Sequence, residues 1–104
     1  MTSPLAELLH EDRRLVILRA LSEVDDKSLN ESLIEKVLRR VRLGIVSRAM
    51  VRGYLTWLEQ NDLVTIDKLQ GGAVPGELWT ATATHQGQAV ARGLSFPGVA
   101  QPSS

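Results

Sequence analysis

The chain contains no cysteine among its 104 residues. This absence excludes a disulfide framework, a thiolate nucleophile and any cysteine-ligated metal site, and it fits a reducing compartment. Histidine is scarce as well, because His10 and His85 are the only two. A transition-metal site needs several ligands that converge, so we expect no metal. Glu11 and Asp12 could add oxygen ligands to the first histidine, but a solvated bend or break in a helix explains these three residues better.

Long apolar runs are also missing. No stretch approaches the roughly 18 apolar residues that a membrane span needs, and the N-terminus lacks the basic region and apolar core of a secretory signal. No glycine-rich segment has phosphate-cradling spacing, and no serine or threonine has a recognisable partner base. We therefore expect one soluble cytoplasmic domain that is not an enzyme, has no catalytic residues and carries no cofactor.

Acidic residues are absent from one long stretch of a chain whose net charge is zero. Residues 36–58 contain no acid and six bases, which are Lys36, Arg39, Arg40, Arg42, Arg48 and Arg52. Such a concentration can give a neutral protein one basic face. Charge alone does not favour this interpretation over the alternative, which is a solvated helical surface.

The first half of the chain has apolar residues at helical spacing. Ser3 followed by Pro4 is typical of a helix start, and the pattern predicts a helix near 4–24. A second helix is predicted near 30–41, capped either by Ser28, with a glutamate three residues on, or by Asn30. Gly44 then predicts a turn before the next helix.

A third helix, predicted near 47–61 and capped by Ser47, has two different faces. One face carries the predicted core residues, which are Val51, Tyr54, Leu55 and Leu58. The other carries small and polar residues, which are Ala49, Gly53, Thr56 and Gln60. Arg52 lies close beside this second face and Arg48 lies at its edge.

The apolar period changes from helical to alternating after Asn61 and Asp62. The alternation predicts strands near 63–67 and 78–83, joined by a glycine-rich flexible loop. Thr84 is expected to cap a short helix near 85–92. The domain is predicted to span residues 1–93. Residues 94–104 are rich in glycine, proline and serine, which predicts an irregular and flexible tail.

This order of elements resembles a winged helix-turn-helix domain, a mainly α fold with a small β-hairpin (α+β). The segment "SRAMVRGYLTWLEQNDLVT" is similar to the recognition helix and wing entry of many such regulators, and "TATATHQGQAVA" is similar to the segment that follows the wing. The resemblance implies that the third helix enters the major groove of DNA.

A narrower resemblance covers nearly the whole chain. "EDRRLVILRALSE", "LNESL", the pattern "SRxxVRxxLxWLEQxxLV" and the closing "FPGV" are similar to small proteins of Mu-like bacteriophages and prophages. These proteins are often labelled arsenic-repressor-type regulators by fold analogy. The resemblance implies a location in the cytoplasm of a bacterial host. The label also implies metal sensing, but this sequence lacks the ligands that a metal site needs.

From these observations we predict a transcriptional regulator that binds double-stranded DNA. Bases or phosphates would be contacted by Arg48 and Arg52, with Ser47, Ala49, Gly53 and Thr56 on the same helix. Arg39, Arg40 and Arg42 would contact phosphates. Lys68 is the only base in the wing, so insertion of the wing into a groove is doubtful. The alternative is a winged-helix module that binds a phage or host protein without DNA.

The first helix also predicts self-association. Its apolar residues cover a wide arc, and Leu15 lies on its otherwise polar side. One small chain can hardly bury so wide an apolar arc by itself. Helix-turn-helix proteins commonly pair to contact two half-sites. We therefore expect a homodimer built on the first helix and on residues 5–9. Trp57 is expected to pack against the wing or the first helix rather than to stack on a base.

Overall fold

The structure is a computed structural model that describes residues 3–70 and 76–102. Within these ranges the elements are α1 (Pro4–Glu23), β1 (Ser28–Asn30), α2 (Glu31–Arg40), α3 (Arg48–Gln60), β2 (Val64–Gln70), β3 (Glu77–Ala83) and α4 (His85–Ala91). All four helices were predicted, as was the hairpin. The fold is α+β with a small antiparallel sheet, which confirms the predicted class.

Each helix begins at a polar side chain that accepts a hydrogen bond from a backbone N–H three residues later, as at Ser3, Ser47 and Thr84. For α2 the cap is Asn30, whose side-chain oxygen accepts from Leu33 N–H at 3.0 Å. The sequence left Ser28 as the alternative, and that residue instead begins β1. The predicted break at residues 10–12 is wrong, since α1 is continuous and His10 Nδ1 is hydrogen-bonded to the hydroxyl of Tyr54.

The sheet has three strands in the order β1-β3-β2. β1 was not predicted, because three residues are too short to show an alternating pattern. It pairs Ser28 with Thr82, whose hydroxyl oxygens lie 2.6 Å apart. β2 continues beyond the predicted residue 67 to Gln70, and Lys68 pairs with Trp79. Residues 71–75 of the predicted flexible loop lie outside the described residues.

The core lies where α1, α2 and α3 meet the sheet. Its fully buried members include Ile17, Leu18, Leu21, Ile34, Leu38, Leu55, Leu58 and Leu63. Leu15 also belongs to it, being only 7% exposed. The expectation that Leu15 lies on a polar, outward side is therefore wrong. Tertiary packing explains the error, because α1 packs against α4 as well as α2. A pattern within one helix does not reveal the second contact.

Residues 94–102 form neither helix nor strand, and they lie against the helices. Phe96 meets Trp57 edge to face, with ring centroids 6.2 Å apart. Arg14 donates a hydrogen bond to the carbonyl of Gly98 at 2.9 Å, and Val99 is buried in the core. This segment therefore lies against the middle of α1 and the last turn of α3, while its predicted flexibility stays a prediction.

Two glycines provide a test of the packing. A Cβ at Gly87 would overlap the carbonyl oxygen of Leu63, whereas a Cβ at Gly53 would have no atom within 4 Å. We expect Gly87→Ala to lower the free energy of unfolding by about 1–3 kcal/mol through overpacking. Gly53→Ala should raise it by about 0.5–1 kcal/mol, because alanine is the better helix former. Urea denaturation of both variants checks this. Equal effects would contradict the close approach of α4 to Leu63.

Candidate functional site

A buried ion pair joins α2 to α3. Glu31 is the first residue of α2 and is 0% exposed. Arg52 of α3 donates two hydrogen bonds to its carboxylate, from Nε to Oε1 at 2.7 Å and from Nη2 to Oε2 at 3.0 Å. The backbone N–H of Trp79 on β3 donates a third, to Oε2 at 2.8 Å. One carboxylate thus connects two helices and the sheet.

The remaining contacts of Arg52 hold it against the hairpin. Its Nη2 also donates to the carbonyl of Glu77 at 3.0 Å. Its guanidinium carbon lies 4.7 Å from the centre of the Trp79 ring, and the ammonium of Lys68 lies 4.4 Å from the same centre. A cation over an indole ring is attracted by the ring's electrons. Arg52 and Lys68 therefore bind the protein's own atoms in this structure.

Arg48, one helical turn earlier, is held more loosely. Its Nε lies 3.7 Å from Glu31 and 3.6 Å from Glu35, and its Nη2 donates to the hydroxyl of Ser32 at 2.9 Å. Its side chain is 51% exposed. Exposed ion pairs of this length contribute at most about 1 kcal/mol. The Arg48 guanidinium can therefore exchange these partners for a ligand.

The environment of Glu31 favours its charged form. Burial alone would raise the pKa of this carboxyl. The hydrogen bonds from Arg52 and from Trp79 N–H, together with the positive charges of Arg52 and Arg48, outweigh burial, and the pKa of Glu31 lies below its usual value. The same pairing raises the pKa of Arg52. Both groups are therefore charged at neutral pH.

Few side chains project from the outward face of α3. Ala49 and Gly53 are exposed and have little or no side chain. The hydroxyl of Thr56 donates to the carbonyl of Arg52 at 2.8 Å, and the hydroxyl of Ser47 serves as the helix cap. The predicted site residues on this face therefore offer a close approach to the backbone rather than free polar groups.

Trp57 borders this face on the side of α1. The guanidinium of Arg14 lies over its ring, 4.2 Å from the centroid. The prediction that Trp57 packs against the first helix is confirmed.

A second basic group lies at the end of α2. Lys36, Arg39, Arg40 and Arg42 are exposed and surround an open recess of about 460 Å³. In the described part of the chain, no carboxylate lies within 4 Å of any of these four cations. We call them the basic cluster. Lys36 was missing from the predicted site, although its spacing of three and four residues from Arg39 and Arg40 would have placed it there.

The structure therefore divides the predicted site into two parts. Arg48, Arg52 and Lys68 belong to a network with the acids of α2 and with Trp79, whereas Arg39, Arg40 and Arg42 stay unpaired beside it among the described residues. Sequence reasoning missed Glu31. Its signal was its spacing of three and seven residues from Ile34 and Leu38, which places an acid in the buried stripe of α2.

Two kinds of feature are absent from residues 3–70 and 76–102. No helix there is long and apolar enough to cross a bilayer. Nor do three or more histidine or carboxylate side chains come together there in a group that could hold a metal ion.

The two arginines of α3 should differ in their effect on stability. The sequence alone suggests that the double change Arg48→Ala/Arg52→Ala keeps the fold, because the apolar face is untouched. The structure revises this, since loss of Arg52 leaves a buried carboxylate without its charged partner. We expect Arg52→Ala to lower the Tm by about 5–10 °C more than Arg48→Ala does. Thermal unfolding at pH 7 measures this, and similar Tm values would contradict the assignment.

The lowered pKa of Glu31 predicts a dependence of stability on pH. Such a carboxyl stabilises the folded chain above its unfolded pKa, near 4.5, and the stabilisation is lost as pH falls through the lower, folded pKa. We expect the unfolding free energy of the wild type to fall below about pH 5 more steeply than that of Glu31→Gln, by up to about 1.4 kcal/mol per pH unit. Urea denaturation from pH 7 to 3 tests this. Parallel curves would contradict it.

The chain is similar to one phage protein and to one bacterial protein. No protein-family model matches it. It is 39% identical over 97 residues to the "uncharacterized protein gp26" of Escherichia phage Mu, covering 92% of this chain and 93% of that protein. It is also 46% identical over 66 residues to an uncharacterized protein of Haemophilus influenzae, covering 64% of this chain and 63% of that protein. The chain therefore belongs to the family of gp26 of Escherichia phage Mu, in agreement with the predicted Mu-like bacteriophage family.

Proposed function

We propose that this phage-family protein is a winged helix-turn-helix regulator of transcription that binds double-stranded DNA. The order of its elements supports the fold assignment. Two helices, α2 and α3, are joined by a short turn, and the β2–β3 hairpin follows α3 directly. In helix-turn-helix proteins the second helix of such a pair lies in the major groove. In this chain that helix is α3.

The observation that carries the proposal is the basic cluster. Four exposed cations lie together, and within the described residues no carboxylate is close enough to neutralise them. Mutual repulsion makes such a group unfavourable unless an anion joins it. Duplex DNA offers a row of phosphates, and a protein that neutralises them gains affinity by releasing counterions. An extended polyanion suits four separate cations better than one small anion does.

Arg48 is the residue that we assign to base contact. It is the first residue of α3, and the N-terminal part of a recognition helix lies nearest the base edges. Its weak surface ion pairs can be replaced by a bidentate contact to guanine. The exposed, small side chains of Ala49 and Gly53 would let the backbone approach the groove. Arg52 has a different role here, because its bonds to Glu31 position α3.

One observation favours a second function. Arg48 and Arg52 both contact acids of α2, so the face of α3 is less positive than the sequence suggests. A domain of zero net charge with such a face also suits a winged-helix module that binds a phage or host protein. The DNA experiment below distinguishes the two functions.

The basic cluster should act through phosphates alone. We expect Arg39→Ala/Arg42→Ala to weaken binding to every duplex by a similar factor. The slope of log affinity against log salt should fall in magnitude by about 2, one for each lost phosphate contact. Fluorescence anisotropy measures this with two labelled duplexes, one from the neighbourhood of the protein's own gene and one of scrambled sequence, over a series of salt concentrations.

The matched control is Arg92→Ala, which removes an exposed arginine at the end of α4. It should leave both affinity and slope unchanged. Arg48→Ala should instead reduce the preference for the cognate duplex, by about 1–3 kcal/mol. Wild-type protein that binds neither duplex at low salt would reject DNA binding and favour the protein-interaction module.

A further inference from the structure

A buried arginine of α1 connects the turn before α3 to α3 itself. Arg13 is only 5% exposed. Its Nε and Nη2 both donate hydrogen bonds to the carbonyl oxygen of Leu43, at 2.9 and 2.7 Å, and its Nη1 donates to the hydroxyl of Tyr54 at 2.9 Å. Leu43 lies in the turn between α2 and α3, and Tyr54 lies in the middle of α3. One planar guanidinium therefore holds two separate parts of the helix-turn-helix segment.

The two groups that Arg13 bonds are also fixed by other partners. The backbone N–H of Leu43 donates to the carbonyl of Leu38 at 3.2 Å, so Leu43 is bonded to α2 through its N–H and to α1 through its carbonyl. The hydroxyl of Tyr54 accepts from Arg13 and is also hydrogen-bonded to Nδ1 of His10. A hydroxyl that accepts one hydrogen bond can still donate its own proton to a ring nitrogen. These bonds together define where the turn and α3 lie relative to α1.

The charge of Arg13 has no acidic partner. Among the described residues, no carboxylate lies within 4 Å of its guanidinium. An arginine stays charged in proteins, and a buried charge without an opposite charge is costly. The negative end of the α2 dipole, beside Leu43, offsets part of this cost. Stability alone therefore does not account for an arginine at this position, whereas a rigid fork that bonds two oxygens at a fixed separation does.

The segment held in this way carries the proposed DNA contacts. Arg42 comes directly before the first oxygen that Arg13 bonds, and Arg48 lies between the two. On the side of the hairpin, α3 is fixed by Arg52. We propose that Arg13 is a positioning residue for DNA recognition, which holds the turn and α3 against α1 so that Arg48 and the basic cluster meet one duplex in register. Arg13 itself is buried and touches no DNA. This role rests on the proposed function.

Two substitutions separate position from charge. Arg13→Met removes all three hydrogen bonds, whereas Arg13→Lys keeps the charge but cannot reproduce the fork. Both should lower the preference for the cognate over the scrambled duplex by about tenfold, because Arg48 is no longer held in register. The slope of log affinity against log salt should change little, since the basic cluster keeps its charges. Fluorescence anisotropy with the same two duplexes measures this, at a temperature at which circular dichroism shows every variant folded.

The matched controls are Arg19→Met and Arg19→Lys, which change an exposed arginine of the same helix. They should leave the preference as it is in the wild type. A wild-type preference in Arg13→Met overturns the proposal. So does a full rescue by Arg13→Lys, because the charge of Arg13 would then act without its geometry.

Hydrogen exchange tests the positioning without DNA. The amides of Leu43, Met50 and Val51 are hydrogen-bonded in the turn and in the first turn of α3. In Arg13→Met they should exchange about tenfold faster than in Arg19→Met, while the amides of β2 and β3 keep their rates. Unchanged rates at these three amides, or an equal increase in the sheet, overturn the positioning role. A wild type that binds neither duplex rejects the proposed function and the role in DNA recognition, and the exchange rates still decide whether Arg13 holds the turn.

Discussion

The pairing of Glu31 with Arg52 is the interaction on which the arrangement of this domain depends. A fully buried carboxylate receives two hydrogen bonds from α3 and one from β3, so the start of α2 is fixed to both. Apolar contacts tolerate small shifts, whereas a buried charge tolerates only a position where its hydrogen bonds are complete. The pair therefore sets where α3 lies relative to the hairpin, in addition to any stability that it contributes.

This pair also changes which residues are available to a ligand. A count of arginines along α3 suggests two equivalent contacts, yet one guanidinium is committed to the buried acid and only Arg48 remains half exposed. The positive charge that is left over lies at the end of α2, where cations also favour the helix dipole. A protein of zero net charge can present a basic surface in this way, because some of its acids form ion pairs within the domain and the others lie elsewhere on the chain.

Features that depend on residues close together in the chain could be predicted from the sequence. Helix starts at Ser3, Ser47 and Thr84 were predictable because a cap and an apolar period act within a few residues. β1 was not, since Ser28–Asn30 is a strand only because β3 lies beside it. The same holds for the site. The exposure of Arg39 and Arg40 followed from helical spacing. The pairing of Arg52 could not be predicted, because its partner Glu31 lies 21 residues away in the chain.

Helix α2 shows how ten residues can carry three separate roles. The period of 3.6 residues directs Glu31 and Glu35 toward α3, where they meet Arg48 and Arg52. It directs Leu33 and Val37 toward an open recess of about 360 Å³ between α1 and α2. Between these two sides, Lys36 and Arg39 reach solvent. Because the acids face one side of the helix, the fold can hold α3 in place while the remaining surface stays open, with Lys36 and Arg40 bordering both its apolar and its positively charged part. The proposed contact with DNA thus uses a side of α2 other than the one that holds α3 in place.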